Sequence, residues 1–172
     1  MAKTLQTLRA TIVREIDLDE AQRHFDLPIE EQFSSRRDLI SGLSQTKAQY
    51  ISMFNDSDMI KVWRGMDCDR AWAEDVRQGD DLGDSWAWRQ EGALKGSGLD
   101  TGQFPGVLIV GEVHESDVDW ELSIAVGTFH EDECEIVISN PRAVTLLKII
   151  DWPSGKVVRD FEAELTAVPG SL

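Results

Sequence analysis

Cysteine is scarce in this chain, with Cys68 and Cys134 the two examples in 172 residues. They stand 66 positions apart and form no CxxC pair. At most one disulfide can form, and neither a disulfide framework nor a cysteine-based zinc site can be built from them. A reducing compartment is the expectation. Histidine is nearly as thin: His24, His114 and His130 lack partners at metal or triad spacing, so each reads as a surface or satisfied side chain. Long apolar runs are missing too. No stretch approaches the roughly 18 apolar residues that would span a bilayer. Met1-Ala2-Lys3-Thr4 leads into a charged, amphipathic segment and not into the apolar core of a signal peptide. The chain is therefore expected to be soluble and without a membrane partner, in the cytoplasm or delivered into the cytosol of a host or target cell. Basic residues are the last shortage. There are 17 Lys and Arg against 32 Asp and Glu, a formal net charge of −15. Phosphates would repel such a chain, which argues against nucleic-acid binding through general electrostatics and favours basic partners or an acidic decoy.

What is present is a globular composition. Apolar residues make up 41%, and the length suits one domain with its own core. Residues 1–56 read as mainly helical. Leu5, Leu8, Ile12 and Ile16 follow helical spacing, and Leu39, Ile40, Leu43, Ala48, Tyr50, Ile51 and Phe54 line the buried side of a later helix. Residues 59–160 read as mainly strands. Met59 to Gly65 alternates and carries Trp63; Ser85 to Trp88 is short and β-prone; Val107 to Val113 is the strongest strand; Val144 to Ile150 follows, with a hairpin turn at Pro153 to Lys156. A short helix is expected near Arg70 to Val76 and a helical turn from Arg89 to Leu94. Trp120 to Val126 fits a strand or a short helix ended by Gly127. Lys95 to Gln103 reads as a flexible glycine-rich loop without the GxxxxGK[S/T] spacing of a phosphate loop. The tail from Phe161 shows little pattern and is expected to fray. Helices first and strands after imply an α+β fold.

The most unusual stretch is Glu131-Asp132-Glu133-Cys134-Glu135-Ile136-Val137-Ile138. Consecutive β-branched residues call for a strand buried on both faces. A strand sets Glu133 and Glu135 on one face, since side chains repeat every two residues. Taken alone, the stretch reads as a solvated acidic turn leading into an ordinary strand. Arg64, followed by the pliable Gly65, reads alone as a surface or ion-paired arginine.

In their order along the chain, Trp63-Arg64-Gly65, then Ser85-Trp86, then Glu133-Cys134-Glu135-Ile136-Val137-Ile138 resemble the mono-ADP-ribosyltransferases of the arginine–serine–glutamate class. The resemblance covers roughly residues 59 to 150. It implies N-terminal helices on a mixed β-sheet core split around an NAD cleft, in one domain spanning residues 1–172. It implies NAD as a substrate, release of nicotinamide, and modification of a protein acceptor at arginine. Arg64 would hold the pyrophosphate or adjoining ribose, with Gly65 and Trp86 beside it, because a guanidinium offers several donors to phosphate oxygens. Ser85 would support the glutamate in the nicotinamide-ribose site. Glu135 would be catalytic, accepting from a ribose hydroxyl and favouring the cationic character that develops as nicotinamide leaves. Glu133 would receive the acceptor. Ala87 stands where the family commonly carries a second hydroxyl. Glu131-Asp132-Glu133 is a second Glu-x-Glu, and the Glu133/Glu135 register is preferred because the apolar strand starts directly after Glu135. No metal is expected. One of Trp63, Trp72, Trp86 and Trp88 could stack on nicotinamide or adenine, and Arg64, Arg70, Arg89 and Lys95 could form a local positive patch. The alternative is an acidic, non-catalytic binding protein that covers a basic surface on a degenerate form of the same fold.

Overall fold

The computed structural model describes residues 58–129 and 134–166, together with 31, 48, 51 and 52. Most of the predicted helical segment 1–56 therefore lies outside the described residues. Ile51, which is helical, packs against the main core cluster.

Six strands form one sheet: β1 (Met59–Met66), β2 (Ser85–Ala87), β3 (Gly106–His114), β4 (Glu135–Val137), β5 (Thr145–Trp152) and β6 (Val157–Asp160), in the order β4-β2-β1-β3-β5-β6. Among the described residues from 58 to 166 there are four α-helices: α1 (Arg70–Asp75), α2 (Gln90–Ser97), α3 (Trp120–Phe129) and α4 (Phe161–Thr166). The fold is α+β, as the composition of segments suggested. The sheet differs from the expected mixed one, because every strand pairing is antiparallel. β2 and β3 do run in the same direction, joined through α2, but β1 lies between them and pairs antiparallel with both, so no parallel ladder forms. Residues 59–160 are also less dominated by strands than expected, with three of the helices interleaved among them.

β3 is one of the two central strands, and its run of apolar residues has the reason such runs usually have: both faces are covered. Val107 and Ile109 join the large cluster with Ile60, Val62, Ala73, Trp86, Ile136 and Phe161. Leu108 faces the opposite way, with Ala87, Ala93, Leu94 and Leu99. α2 covers this second face by pressing onto β1 at Gly65. A Cβ on Gly65 would collide with Ser97 Oγ and lie 2.7 Å from the Ala93 carbonyl oxygen. The small residues Gly92, Ala93 and Gly96 on α2 permit that approach.

Three expectations need correction. The predicted glycine-rich loop is largely structured: α2 runs to Ser97, ends on Gly98 in the left-handed region (φ 74°), and is followed by a 3-10 turn Leu99–Thr101 whose Leu99 is buried. Glycine here supplies the helix stop. Next, Trp120 to Phe129 is a helix that continues through Gly127. Its start is fixed by Asp119, whose Oδ1 accepts from Leu122 N–H at 3.0 Å. Last, the chain from Phe161 does not fray at once. Phe161 is 4% exposed and anchors α4, while Arg159 binds Glu164 at 2.7 Å and donates to the carbonyls of Ala73, Glu74 and Val76 at the end of α1. Residues 167–172 lie outside the described residues.

Candidate active site

The site is built where the sheet is weakest. β1 pairs with β3 over eight residues, from Met59↔His114 to Met66↔Val107. With β2 it shares a single registered pair, Trp63↔Ala87. β2 pairs in turn with β4 through Ser85↔Val137, Trp86↔Ile136 and Ala87↔Glu135. Trp63, Ala87 and Glu135 thus form a row across three strands, and by alternation Gly65 and Ser85 share their face. Beyond that row β1 and β2 separate. The opening is a cleft of about 180 Å³ lined by Trp63, Arg64, Gly65, Ser85, Ala87 and Glu135, with Gly92, Ala93, Gly96 and Ser97 of α2 closing its other wall.

Two of the anticipated groups meet directly. Ser85 Oγ donates to Glu135 Oε1 at 2.6 Å. A short bond to a carboxylate is of the charge-assisted kind and fixes the glutamate's rotamer. Arg64 belongs by alternation to the opposite face, with Ile60, Val62 and Met66. Its guanidinium nonetheless reaches the gap between the strands, where Nη1 donates to the Ser85 carbonyl. Burial lowers the arginine's pKa from its usual value, and the charges of Asp84, Glu135 and Asp81 oppose that shift. Arginine stays charged regardless, and the three nearby carboxylates favour that charge against the cost of its burial. Arg64 Nε is buried and has no hydrogen-bond partner among the described residues.

The other anticipated residues are placed as follows. Gly65 lies in the cleft wall under α2. Trp86 borders the cleft, but it is 2% exposed, its ring belongs to the main core cluster, and its indole N–H donates to the Gly83 carbonyl at 2.8 Å. Glu133, with Glu131, lies outside the described residues. Of the four basic residues expected to form a patch, Arg64 alone lines the cleft; Arg89 instead stacks over Trp88 at 4.5 Å. The one disulfide that the cysteine count allows is not formed. Cys134 is buried at the mouth of β4, and Cys68 is half-buried before α1. Burial raises the Cys68 thiol pKa, with Asp69 and Asp67 adding to the effect. Among the described residues no group of three His, Cys, Asp or Glu side chains is placed to hold a metal ion, and no helix is long and apolar enough to cross a membrane.

Two contributors went unforeseen. The first is Ser123 on α3, fully buried, which holds the edge strand that carries Glu135. Its Oγ donates to the Asp119 carbonyl at 2.7 Å and accepts from Val137 N–H at 2.8 Å. A serine inside an apolar helix was the available signal. The second is a wider recess of about 670 Å³ on the far flank of Arg64, lined by Met66, Trp72, Asp75, Leu82, Gly83 and Arg142 among others. Arg64 is common to both openings.

No family model matches the chain, and neither a curated protein nor a solved structure shows significant similarity to it.

Proposed function

We propose that the protein is an NAD-dependent mono-ADP-ribosyltransferase that modifies a protein on arginine and releases nicotinamide. The observation that carries this reading is the Ser85–Glu135 hydrogen bond of 2.6 Å, in a cleft that also contains the Arg64 guanidinium. In this reading Glu135, oriented by Ser85, accepts from a hydroxyl of the nicotinamide ribose. Its negative charge favours the oxocarbenium character that builds as the glycosidic C–N bond breaks and its electron pair leaves with nicotinamide. The acceptor nitrogen then attacks the same carbon, and Glu133 takes the proton it loses. Arg64 faces the pyrophosphate with a planar set of donors. Ala87 places a methyl group where a second hydroxyl would stand, which leaves the Ser85 hydroxyl to support Glu135 from β2, alone or with backbone help.

The size of the openings is consistent with a dinucleotide bound in two parts. At about 180 Å³ the cleft is smaller than the roughly 300–1,000 Å³ usual for small-molecule pockets and suits the nicotinamide end. The recess across Arg64, about 670 Å³ and containing Trp72, is large enough for the adenosine end.

Incubation with labelled NAD and a cell lysate tests the proposal. Wild-type protein is expected to label acceptor proteins, and Glu135→Gln to lose the transfer. Equal labelling by the two would overturn the catalytic assignment. The net charge of −15 favours one second reading, an acidic non-catalytic module that covers a basic surface. That reading requires salt-sensitive association that survives Glu133→Gln/Glu135→Gln.

A further inference from the structure

The guanidinium of Arg64 rests against bare backbone. Gly83 has φ +90°, and a Cβ there would lie 2.7 Å from Nη2, 3.0 Å from Cζ and 3.3 Å from Nη1 of Arg64. All three fall inside the ~3.5–4.0 Å of ordinary carbon contacts. The same loop surrounds the group on other sides. The Ser85 carbonyl accepts from Nη1, and Asp81 and Asp84 contribute favourable charge. The loop is braced in its turn: Gly83 N–H donates to Asp81 Oδ1 at 3.0 Å, and the Gly83 carbonyl accepts from the indole of core residue Trp86 at 2.8 Å. An added methyl group would therefore displace the flexible end of the arginine more readily than the loop.

We infer that Gly83 is a positioning residue for the NAD site, its missing side chain forming the seat that holds the Arg64 guanidinium at the cleft. The identity of the ligand rests on the transferase reading above; the seat itself does not. Gly79 supplies a matched comparison in the same loop. It has φ +83°, yet a Cβ there would meet nothing within 4 Å. Alanine at either position imposes similar backbone strain. Alanine at 83 alone touches Arg64.

The test combines the guanidinium NMR signals of Arg64, assigned by their loss in Arg64→Ala, with NAD titrations of wild type, Gly79→Ala, Gly83→Ala, Arg64→Ala and Gly83→Ala/Arg64→Ala. Gly79→Ala is expected to keep the Arg64 signal and the NAD affinity. Gly83→Ala is expected to shift the signal and weaken NAD about tenfold or more, the scale of one charge-assisted hydrogen bond. In the Arg64→Ala background, Gly83→Ala should cause no further loss, because the two substitutions act through one group. An unmoved Arg64 signal in Gly83→Ala, an equal loss in Gly79→Ala, or additive effects in the double variant would overturn the inference. Should Gly83→Ala fail to fold, folding restored in the double variant supports the seat, and folding not restored overturns it. Wild-type protein that binds no NAD overturns the transferase reading and the ligand role of Gly83 together, while the Arg64 signal still decides the seat.

Discussion

At the scale of single residues, the site depends on one hydroxyl aimed at one carboxylate. Ser85 is exposed and forms no part of the core, so its removal should affect chemistry and not folding. Ser85→Ala is expected to lower the rate of nicotinamide release about 10- to 100-fold, the cost of one hydrogen bond to a charged group. The unfolding midpoint should stay unchanged, and initial rates beside a thermal melt check both halves. Cys68 gives an independent test of local electrostatics. Burial first, then Asp69 and Asp67, push its thiol above the ordinary value, so less thiolate is present near neutral pH. Alkylation of folded protein at Cys68 should therefore run slower than that of an unfolded control at the same pH, and Asp67→Asn should recover part of the difference. A rate equal to that of the unfolded chain would contradict the assigned environment.

At the scale of elements, β4 is short and stands at the edge of the sheet, and its position depends on α3 as much as on β2. Ser123→Ala removes the acceptor for Val137 N–H in a buried setting. A loss of about 1–3 kcal/mol in unfolding free energy is expected, measurable by denaturant titration. α4 is held differently. The hydrogen bond from Arg159, ahead of the guanidinium's charge, lowers the Glu164 pKa below its usual range. A carboxylate depressed in the folded state contributes stability above its unfolded pKa and loses it as pH falls through the folded value. Acidification through the depressed Glu164 pKa should thus weaken the Arg159 contact and modestly speed exchange in α4, and Arg159→Ala should remove that pH dependence. Hydrogen exchange of the amides of α4 across pH reads this out.

The elements also show where sequence reading succeeds. β1 and β3 were legible from alternation and from an unbroken apolar run. The meeting of Ser85 with Glu135 was legible through the ordered motifs, and the Ala87↔Glu135 register gives its physical cause. The far end of α2 was not legible, because Gly92, Gly96 and Gly98 argue against a helix until the packing on Gly65 demands small residues. α3 was ambiguous because a short apolar run fits a buried strand or a buried helix equally well. The reach of Arg64 from the opposite face depends on where β1 and β2 part, and nothing local encodes that. α4 was missed because Phe161 and Arg159 act through distant partners.

At the scale of the whole molecule, the transferase reading requires a chain of charge −15 to bind an anionic dinucleotide, with Arg64 in the cleft and Arg142 in the recess placed to offset the repulsion. This sharpens the contrast between a transferase and an acidic binding module, since the first must engage NAD despite the field and the second exploits the field itself. Initial rates of nicotinamide release from NAD, measured for wild type and Glu135→Gln alongside NAD binding to each, separate the two most directly. In the transferase reading wild type releases nicotinamide steadily, and Glu135→Gln still binds NAD but releases nicotinamide at least about 100-fold more slowly, the scale of a lost electrostatic catalytic group. Equal rates for the two proteins, or no release by wild type, would contradict it.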